Sequence, residues 1–544
     1  MKKQNFIEGA FVATLGIIIC RIIGLLYVIP FYSMIGVTGG TLYGYAYSIY
    51  GIFLNLSIVG IPTAMSKITS QYIALGYTYT KERSFKIGKK IITTMGIFFF
   101  FLLLIFAKPI ATLIIGDLSG GNTIEDVTFV IRLVSTALLV VPSYAVTKGY
   151  LQGHKMMVVP SLSNIIEQLV RVAVILLGTF LTLRVFNFGT KEAVGISVFA
   201  ATIGAVVSYA FILKKIKRDE ELFSVDTEIK EAEKNITAKD IAKTIIKYAI
   251  PFIVIDLVNS AYAMVDVFTI VRTLTDLGYD ALVAETTYGV VCTWATKLTM
   301  IVISIATGIG ISLIPNITEL YVKKNKSELT RKVNLALCAI ILIALPMVCG
   351  LCFLHQSVWI VFYGYDYLSI NIFALYVWQG LTFSILSILI NVLQSVNDTK
   401  LTLVTLSISF LGKLILSIPM MYLLNNFEIA YFGPVISTLI PQILAITCAI
   451  IILNKKYQIS FKNSIENIIK TILSTLIMLV VLKIVNVFIP MTEITRGMSL
   501  VYIVLYASIG GVTYLLCAYK SKLLENVLGK NFLNKIFKRK LKKS

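Results

Sequence analysis

Apolar runs of about 20 residues, the length that crosses ~30 Å of hydrocarbon as a helix, recur from Phe11 almost to the C-terminus of this chain. In hydrocarbon each backbone N–H and C=O must be satisfied within its own segment, so such runs become helices rather than open strands. Only 14% of the 544 residues are charged, against roughly 25% in a soluble domain. The sequence therefore reads as an all-α integral membrane protein, and a soluble enzyme with a large core is excluded. The first run is too long and too polar-flanked for a cleaved leader, and many more follow it.

Fourteen spans are expected, centred near residues 23, 54, 101, 137, 170, 204, 258, 299, 343, 382, 412, 441, 477 and 508. With both termini in the cytoplasm, 38 of the 49 lysines and arginines fall in cytoplasmic segments, five in outer loops and six within spans. This asymmetry follows the positive-inside rule, fixes the orientation and requires an even number of crossings. The net charge of +21 is thus mostly topology, and it does not call for a nucleic-acid partner. All seven cysteines lie in or near apolar spans, which excludes an extracellular disulfide framework. Cys349, Cys352 and His355 have ligand-like spacing, but no second cluster completes a tetrahedral set, so ordinary helix packing is the expectation and no metal is assigned.

Charges inside spans are costly and usually face a polar cavity. Arg21 is the single charge between Phe11 and Ile35. Gly36 to Gly40 is expected to form a tight outer turn, and the next span leads to Gly60-Ile61-Pro62 and Lys67. Glycine and proline there either open backbone toward a cavity or kink the helix for packing. Glu167 and Arg171 stand four apart, acid first, the favourable order for a pair on one helical face. Asp256, Asn259 and Asp266 form a polar stripe on span seven, and the lone charge of span eight, Lys297, is its expected partner. That pairing is either a tie between two helices or part of a pathway. Lys413 is a further mid-span cation. Gly308 and Gly310 are not a phosphate loop, since no strand precedes them; small residues there allow close helix approach.

The chain also repeats itself. Lys67-Ile68-Thr69 and Tyr72 answer Asn316-Ile317-Thr318 and Tyr321 at an offset of 249, and Leu151-Gln152 answers Leu393-Gln394 at an offset of 242. At the second offset Arg171 falls on Lys413. The expected organisation is an N-lobe of six helices over 1–213, a cytoplasmic linker over 214–247, and a pseudo-symmetric six-helix C-lobe over 248–454. Helices thirteen and fourteen follow over 455–519, then a basic cytoplasmic tail over 520–544. Repeats of this kind place the substrate between lobes, near the bilayer midplane.

Gly60-Ile-Pro-Thr-Ala-Met-Ser-Lys67, Tyr150-Leu-Gln-Gly-His154, Glu167-Gln-Leu-Val-Arg171 and Thr307-Gly-Ile-Gly-Ile-Ser-Leu-Ile-Pro315 resemble signatures of the polysaccharide and lipid-linked-oligosaccharide flippases of the MOP superfamily, which share the MATE-like fold. The opening, Thr14 to Arg21 and on to Gly39-Gly40, is most similar to the lipid II flippases of the MurJ type, in the Gram-positive YtgP branch related to the SpoVB proteins. The resemblance implies export of undecaprenyl-pyrophosphoryl disaccharide-pentapeptide through a cavity lined by spans one, two, seven and eight, with a lipid-tail groove on the last two spans. Arg21 and Lys297 match cavity cations of the family. Tyr27 and Leu54 stand where relatives carry further arginines, and span eleven offers Lys413 in place of the acids of a sodium site.

The spans hold six basic residues, Arg21, Arg132, Arg171, Lys297, Lys413 and Lys483, against three acids, Glu167, Asp256 and Asp266. This surplus favours an anionic ligand. An arginine fork binds phosphate oxygens bidentately, and a lysine adds a point charge. The expected substrate-binding residues are Arg21, Lys297, Asn259 and Asp266, supported by Asp256, Glu167, Arg171, Lys413 and Lys67; none is catalytic. A flippase for another undecaprenyl-linked glycan, such as a capsule, teichoic acid or spore-cortex precursor, is the alternative, and a cation-coupled multidrug exporter of the same superfamily stands further off. A glycosyltransferase would need a metal-binding or general-base carboxylate cluster, which the sequence lacks. The expected setting is the cell membrane, as a monomer acting on an anionic polyprenyl lipid among membrane lipids, alongside cell-wall synthesis proteins. No cofactor is expected, and coupling to membrane potential, H+ or Na+ is left open.

Overall fold

The computed structural model describes residues 20–58, 60–116, 121–154, 156, 158–218, 231–396, 398–493 and 495–528. Among these residues every long element is a helix. Twelve segments are long and apolar enough to cross a membrane, and they cover every expected span centre except those near 23 and 258. Residues 11–19 of the first expected span lie outside the described residues, which begin with a short helix, α1, over residues 20–26. The seventh corresponds to α10 (Ala238–Asp276), a continuous 39-residue helix. The chain is thus a multi-pass, all-helical membrane protein.

By packing, the chain divides into two compact units, 1–292 and 293–544. The first holds α2 (Val28–Ile58), α3 (Ile61–Leu75), α4 (Thr78–Ile115), α5 (Ile124–Ser135), α6 (Val141–Gly153), α7 (Val158–Phe180), α8 (Thr190–Arg218), the short α9 (Glu231–Lys234), α10 and α11 (Ala281–Gly289). α7 lies along α8, α3 along α6, and α10 against α2, α3 and α4. The second unit holds α12 (Ala295–Val322), α13 (Lys326–Phe353), α14 (His355–Tyr363), α15 (Tyr367–Tyr376), α16 (Trp378–Ser395), α17 (Thr399–Asn425), α18 (Gly433–Tyr457), α19 (Lys462–Phe488), α20 (Arg496–Lys520) and α21 (Leu523–Leu528). There α12 packs on α16, α17 on α18, and α19 on both α13 and α20. The offset of 242 carries α7 onto α17 and α8 onto α18, and the same close helix pair recurs in each unit.

Close approach in the first unit depends on the glycines of the sequence motifs. A Cβ on Gly149 would stand 2.2 Å from the Pro62 carbonyl oxygen, and one on Gly153 would stand 2.5 Å from Thr69 Cβ. The Gly60-Ile-Pro and Tyr150-Leu-Gln-Gly signatures are therefore two sides of one tight α3/α6 seam. Gly60 itself has φ +64 and opens α3, with Pro62 within the first turn. Proline fits there because the N–H it lacks would have had no helical partner.

Two expectations change in detail. The outer turn read at 36–40 narrows to one residue, Gly36, whose φ of +68 breaks α2 while Val37 onward is already helical. Only glycine adopts that backbone freely. Helices also reach into both ends of the 214–247 stretch. α8 runs through Lys215 and Lys217 to Arg218, cations that suit a helix C-terminus. At the other side Thr237 and Asp240 form a capping box: Asp240 N–H donates to Thr237 Oγ1 at 3.2 Å, and Thr237 N–H to Asp240 Oδ2 at 3.1 Å. The reciprocal bonds start α10 at Ala238.

Candidate functional site

In the first unit a polar cluster forms where α1, α2, α6 and α7 converge. Arg171 extends from α7, and its Nη2 donates to Gln168 Oε1 at 2.6 Å while standing 3.7 Å from Glu167 Oε1. The expected Glu167–Arg171 pair is present, yet the shorter bond goes to the neutral amide. Tyr27, Tyr43 and Tyr47 also lie close enough to the guanidinium to interact with it electrostatically. The Tyr27 and Tyr43 hydroxyls are 3.2 Å apart, and the Tyr43 and Tyr47 rings are 4.4 Å apart. Gly204 on α8 lets α7 come close, since a Cβ there would lie 3.3 Å from Arg171 Cβ. The guanidinium is therefore held by a packed seam on one side and a tyrosine wall on the other.

Lys148, on α6, completes the cluster. Its Nζ donates to Asn164 Oδ1 at 2.9 Å and sits 3.9 Å from the centroid of the Tyr144 ring. Such a stacked ammonium is stabilised by the ring face as well as by the amide. Cys20 interacts electrostatically with Glu167, Arg171 and Lys148, and a Cβ on Gly24 would be 3.1 Å from Gln168 Nε2. The middle of the first span thus lies against α7 near Gln168, with half-buried Arg21 on that segment. Sequence reasoning gave no role to Lys148 or to the tyrosines. Tyr43, Tyr47 and Tyr50 do fall four and three apart, one helical face, and that spacing was the available signal.

Asp266, on α10, is buried and close to Tyr288 of α11. Tyr288 packs in turn against Tyr45 of α2, with ring centroids 4.4 Å apart and the rings tilted by 40°. The Asp256 and Asn259 side chains lie outside the described ones, so the rest of the expected stripe has no geometry here. Lys67 is exposed on α3. At another edge of this unit, Glu285 accepts from Asn122 N–H and Asn122 Nδ2, both at 2.9 Å, which satisfies a carboxylate with 1% exposure.

In the second unit Lys297 lies half-buried on α12, with Nζ 4.6 Å from the Trp294 ring centroid. A five-residue π-turn, Val290–Trp294, precedes it, and the wider turn changes the helical register in which the Lys297 side chain is presented. Trp294 is braced because Tyr363 OH donates to its carbonyl at 2.9 Å. Lys413 is 2% exposed between α17 and α18 and donates to Thr438 Oγ1 at 2.9 Å. Arg171 and Lys413 thus occupy the same helix pair of each unit, but the arginine meets acid, amide and tyrosines where the lysine meets a hydroxyl. The His355 ring Nδ1 bonds to the Cys352 carbonyl at 2.7 Å, and no group of three His, Cys, Asp or Glu among the described residues is placed to hold a metal.

The arrangement offers cations, amides and tyrosine hydroxyls, which can bind and release an anion.

Comparison with known proteins agrees with this chemistry. Residues 6–321 match the family described as polysaccharide biosynthesis protein. The chain is 32% identical over 541 residues to the lipid II flippase MurJ of Bacillus subtilis (strain 168), covering 97% of each chain. It is 24% identical over 220 residues to the stage V sporulation protein B of the same organism, covering 40% of each. Among solved structures, an inward closed conformation of lipid II flippase MurJ superposes with a TM-score of 0.67 at 16% identity, covering 95% of this chain and 99% of that one. An inward-facing multidrug resistance MATE transporter of the MOP superfamily gives a TM-score of 0.63 at 14% identity, over 80% and 94%; both likenesses are of fold. On the family match and the relative aligned almost end to end, the chain belongs to the polysaccharide biosynthesis protein family, in the branch of the MurJ flippases.

Proposed function

We propose that this chain is a transporter, not an enzyme, which flips lipid II, the undecaprenyl-pyrophosphate-linked peptidoglycan precursor, from the inner to the outer leaflet by alternating access. The observation that carries this reading is the 32% identity to a lipid II flippase along 97% of both chains. The chemistry supports it: six basic residues within the expected spans against three acids suit a pyrophosphate. Moving a negative charge outward across an inside-negative membrane gains about 2.3 kcal/mol per 100 mV. A doubly charged head group could gain about 4 to 5 kcal/mol per 100 mV if it crossed unneutralised, so export needs no bound cation in principle.

Within this reading Arg21 and Lys297 hold the pyrophosphate, the first as a fork and the second as a point charge, with Asn259 and Asp266 alongside. The chain crosses the membrane fourteen times with both termini in the cytoplasm, as two six-helix lobes, 1–213 and 248–454, and a further helix pair over 455–519. The charge partition among segments supports that orientation. The test is replacement of the resident lipid II flippase in a bacterium depleted of it. Growth and restored exposure of lipid II on the outer leaflet are expected. A well-expressed chain that restores neither would overturn the substrate and leave a flippase for another undecaprenyl-linked glycan.

A further inference from the structure

A second polar pocket of 520 Å³ lies within the second unit, among the end of α12, the start of α13, the α16–α17 turn and the end of α18. It shares no residue with the anion-handling groups described above. Its floor is apolar, with Leu329 and Val396 buried and Leu320 beside them. Its rim carries Lys324, Lys326 and Lys456 against one acid, Asp398.

That acid is already committed. Asp398 Oδ2 accepts from Lys456 Nζ and from Tyr457 OH, each at 2.6 Å, and Oδ1 accepts from Leu401 N–H at 3.2 Å, which caps α17. Lys326 Nζ donates once, to Gln458 Oε1 at 3.0 Å. Lys324 has no hydrogen bond or ion pair from its ammonium among the described residues. Two positive charges are therefore uncompensated at the mouth of a pocket whose wall holds the Tyr321 and Tyr457 rings, 6.1 Å apart.

The backbone at Lys324 fixes where that side chain stands. α12 ends in a turn where Asn325 N–H reaches the Leu320 carbonyl at 3.1 Å and Lys324 N–H reaches Tyr321 at 3.0 Å. That turn puts Lys324 at φ +54, a left-handed conformation that glycine normally supplies at helix ends. The first unit builds the same turn after α3, from Tyr77 N–H to the Tyr72 carbonyl at 2.8 Å, and there the left-handed residue is Gly76. Around the first unit's turn the space is filled: Tyr72 stacks on Tyr77, and Ile236 and Ile241 pack into the same cluster. The second unit leaves the space open and places a strained lysine over it. The turn thus sets the Lys324 side chain at the mouth of the pocket.

We propose that this pocket binds a phosphate ester, with the phosphate held by Lys324 and Lys326 and the organic part lying over the apolar floor and the tyrosine rings. A volume of 520 Å³ falls in the range of small-molecule sites and suits a group of about mononucleotide size. The site lies at the ends of membrane-crossing helices, so the ester is either soluble or the head group of an anionic lipid. On the orientation proposed above it faces the cytoplasm, where it would regulate transport rather than carry the substrate.

The purified full chain, in nanodiscs of phosphatidylcholine alone, is titrated with ADP as the soluble probe; in a second arm phosphatidylglycerol is added to the bilayer and its retention is read by native mass spectrometry. The wild type should bind one of the probes, and whichever it binds names the source. Each lysine removed should weaken that binding about fivefold, so Lys324→Gly with Lys326→Ala should lose about 25-fold. Lys324→Gly alone should raise the melting temperature of the unliganded protein, because glycine relieves the left-handed strain, while weakening binding. The proposal is overturned if neither probe binds the wild type, or if the double variant binds as the wild type does. Because the readout is binding at this pocket, it stands or falls separately from lipid II transport.

Discussion

Gly149 of α6 lies so close to Pro62 of α3 that a single added carbon would come within 2.2 Å of the proline's carbonyl oxygen. The obstacle is backbone, which cannot swing aside as a side-chain tip can. Gly149→Ala should therefore cost at least the 1–3 kcal/mol typical of overpacking, seen as a lower melting temperature in detergent. Gly511 on α20 has nothing within 4 Å of such a carbon, and Gly511→Ala should be neutral or stabilising by up to about 1 kcal/mol. Equal behaviour of the two variants would disprove the account of the α3/α6 seam.

Arg171 serves Gln168 and the tyrosine wall as well as Glu167, so its removal should be costlier than removal of the acid. Arg171→Gln is expected to destabilise by about 2–4 kcal/mol because it strands a half-buried carboxylate. Glu167→Gln should cost about 1 kcal/mol, since Gln168 and the tyrosines still hold the guanidinium. A double-mutant cycle in thermal unfolding should give a coupling of about 1–3 kcal/mol, because no carboxylate is stranded once Glu167 has been replaced.

For the anion-binding role, charge and shape separate cleanly. Arg21→Ala should abolish lipid II flipping with folding intact, whereas Arg21→Lys keeps the charge without the fork and should retain partial transport. Lys297→Arg should be tolerated. If a well-expressed Arg21→Ala, Lys297→Ala double variant supports growth without another flippase, these residues do not hold the pyrophosphate.

His154 supplies a pH dependence. It sits just beyond the Ile124–Gly153 span, where burial first and the nearby Lys81 charge second push its imidazole down from 6.5 to about 4. The folded protein keeps the ring neutral in a pH range where the unfolded chain protonates it. The stabilising difference is thus complete above about pH 6.5 and is lost as pH falls toward 4. His154→Gln should flatten that part of the stability profile between pH 7 and 4.5 in detergent, with no difference in slope above pH 7.

Orientation is checked by thiol labelling. A cysteine placed at Asp276 should react with an impermeant reagent in intact cells, and one at Glu228 should react only after lysis. Reaction at Glu228 in intact cells would reverse the proposed topology.

Most of the membrane architecture was legible in the sequence because hydrocarbon imposes one simple requirement, and the apolar runs announce it. The Glu167–Arg171 pair was legible for a similar reason, since helical spacing alone brings i and i+4 together. What spacing could not give was the third dimension of that pair. Helical spacing carries Lys148 over Tyr144, four residues back on α6, but only the α6/α7 packing sets it beside Asn164. Gln168, three residues before Arg171 on the same helix, is also within reach by spacing, but spacing does not say that the amide takes the shorter bond and Glu167 the longer contact. The break at Gly36 was read as a five-residue turn because glycines are plentiful there, yet one residue in a left-handed conformation is sufficient.

The packing boundary between residues 292 and 293 bears on how such a chain could ever be divided. The polar segment 219–230 is the obvious place to cut, whether by a protease or by fission of the gene. Yet α10, which follows it, packs on α2, α3 and α4, which precede it. Two fragments made at that point would share one interior, and neither would hold it complete. Reassembly would demand that a membrane helix find its seat in the other fragment, so this polar stretch is a seam in the sequence but not in the packing around it.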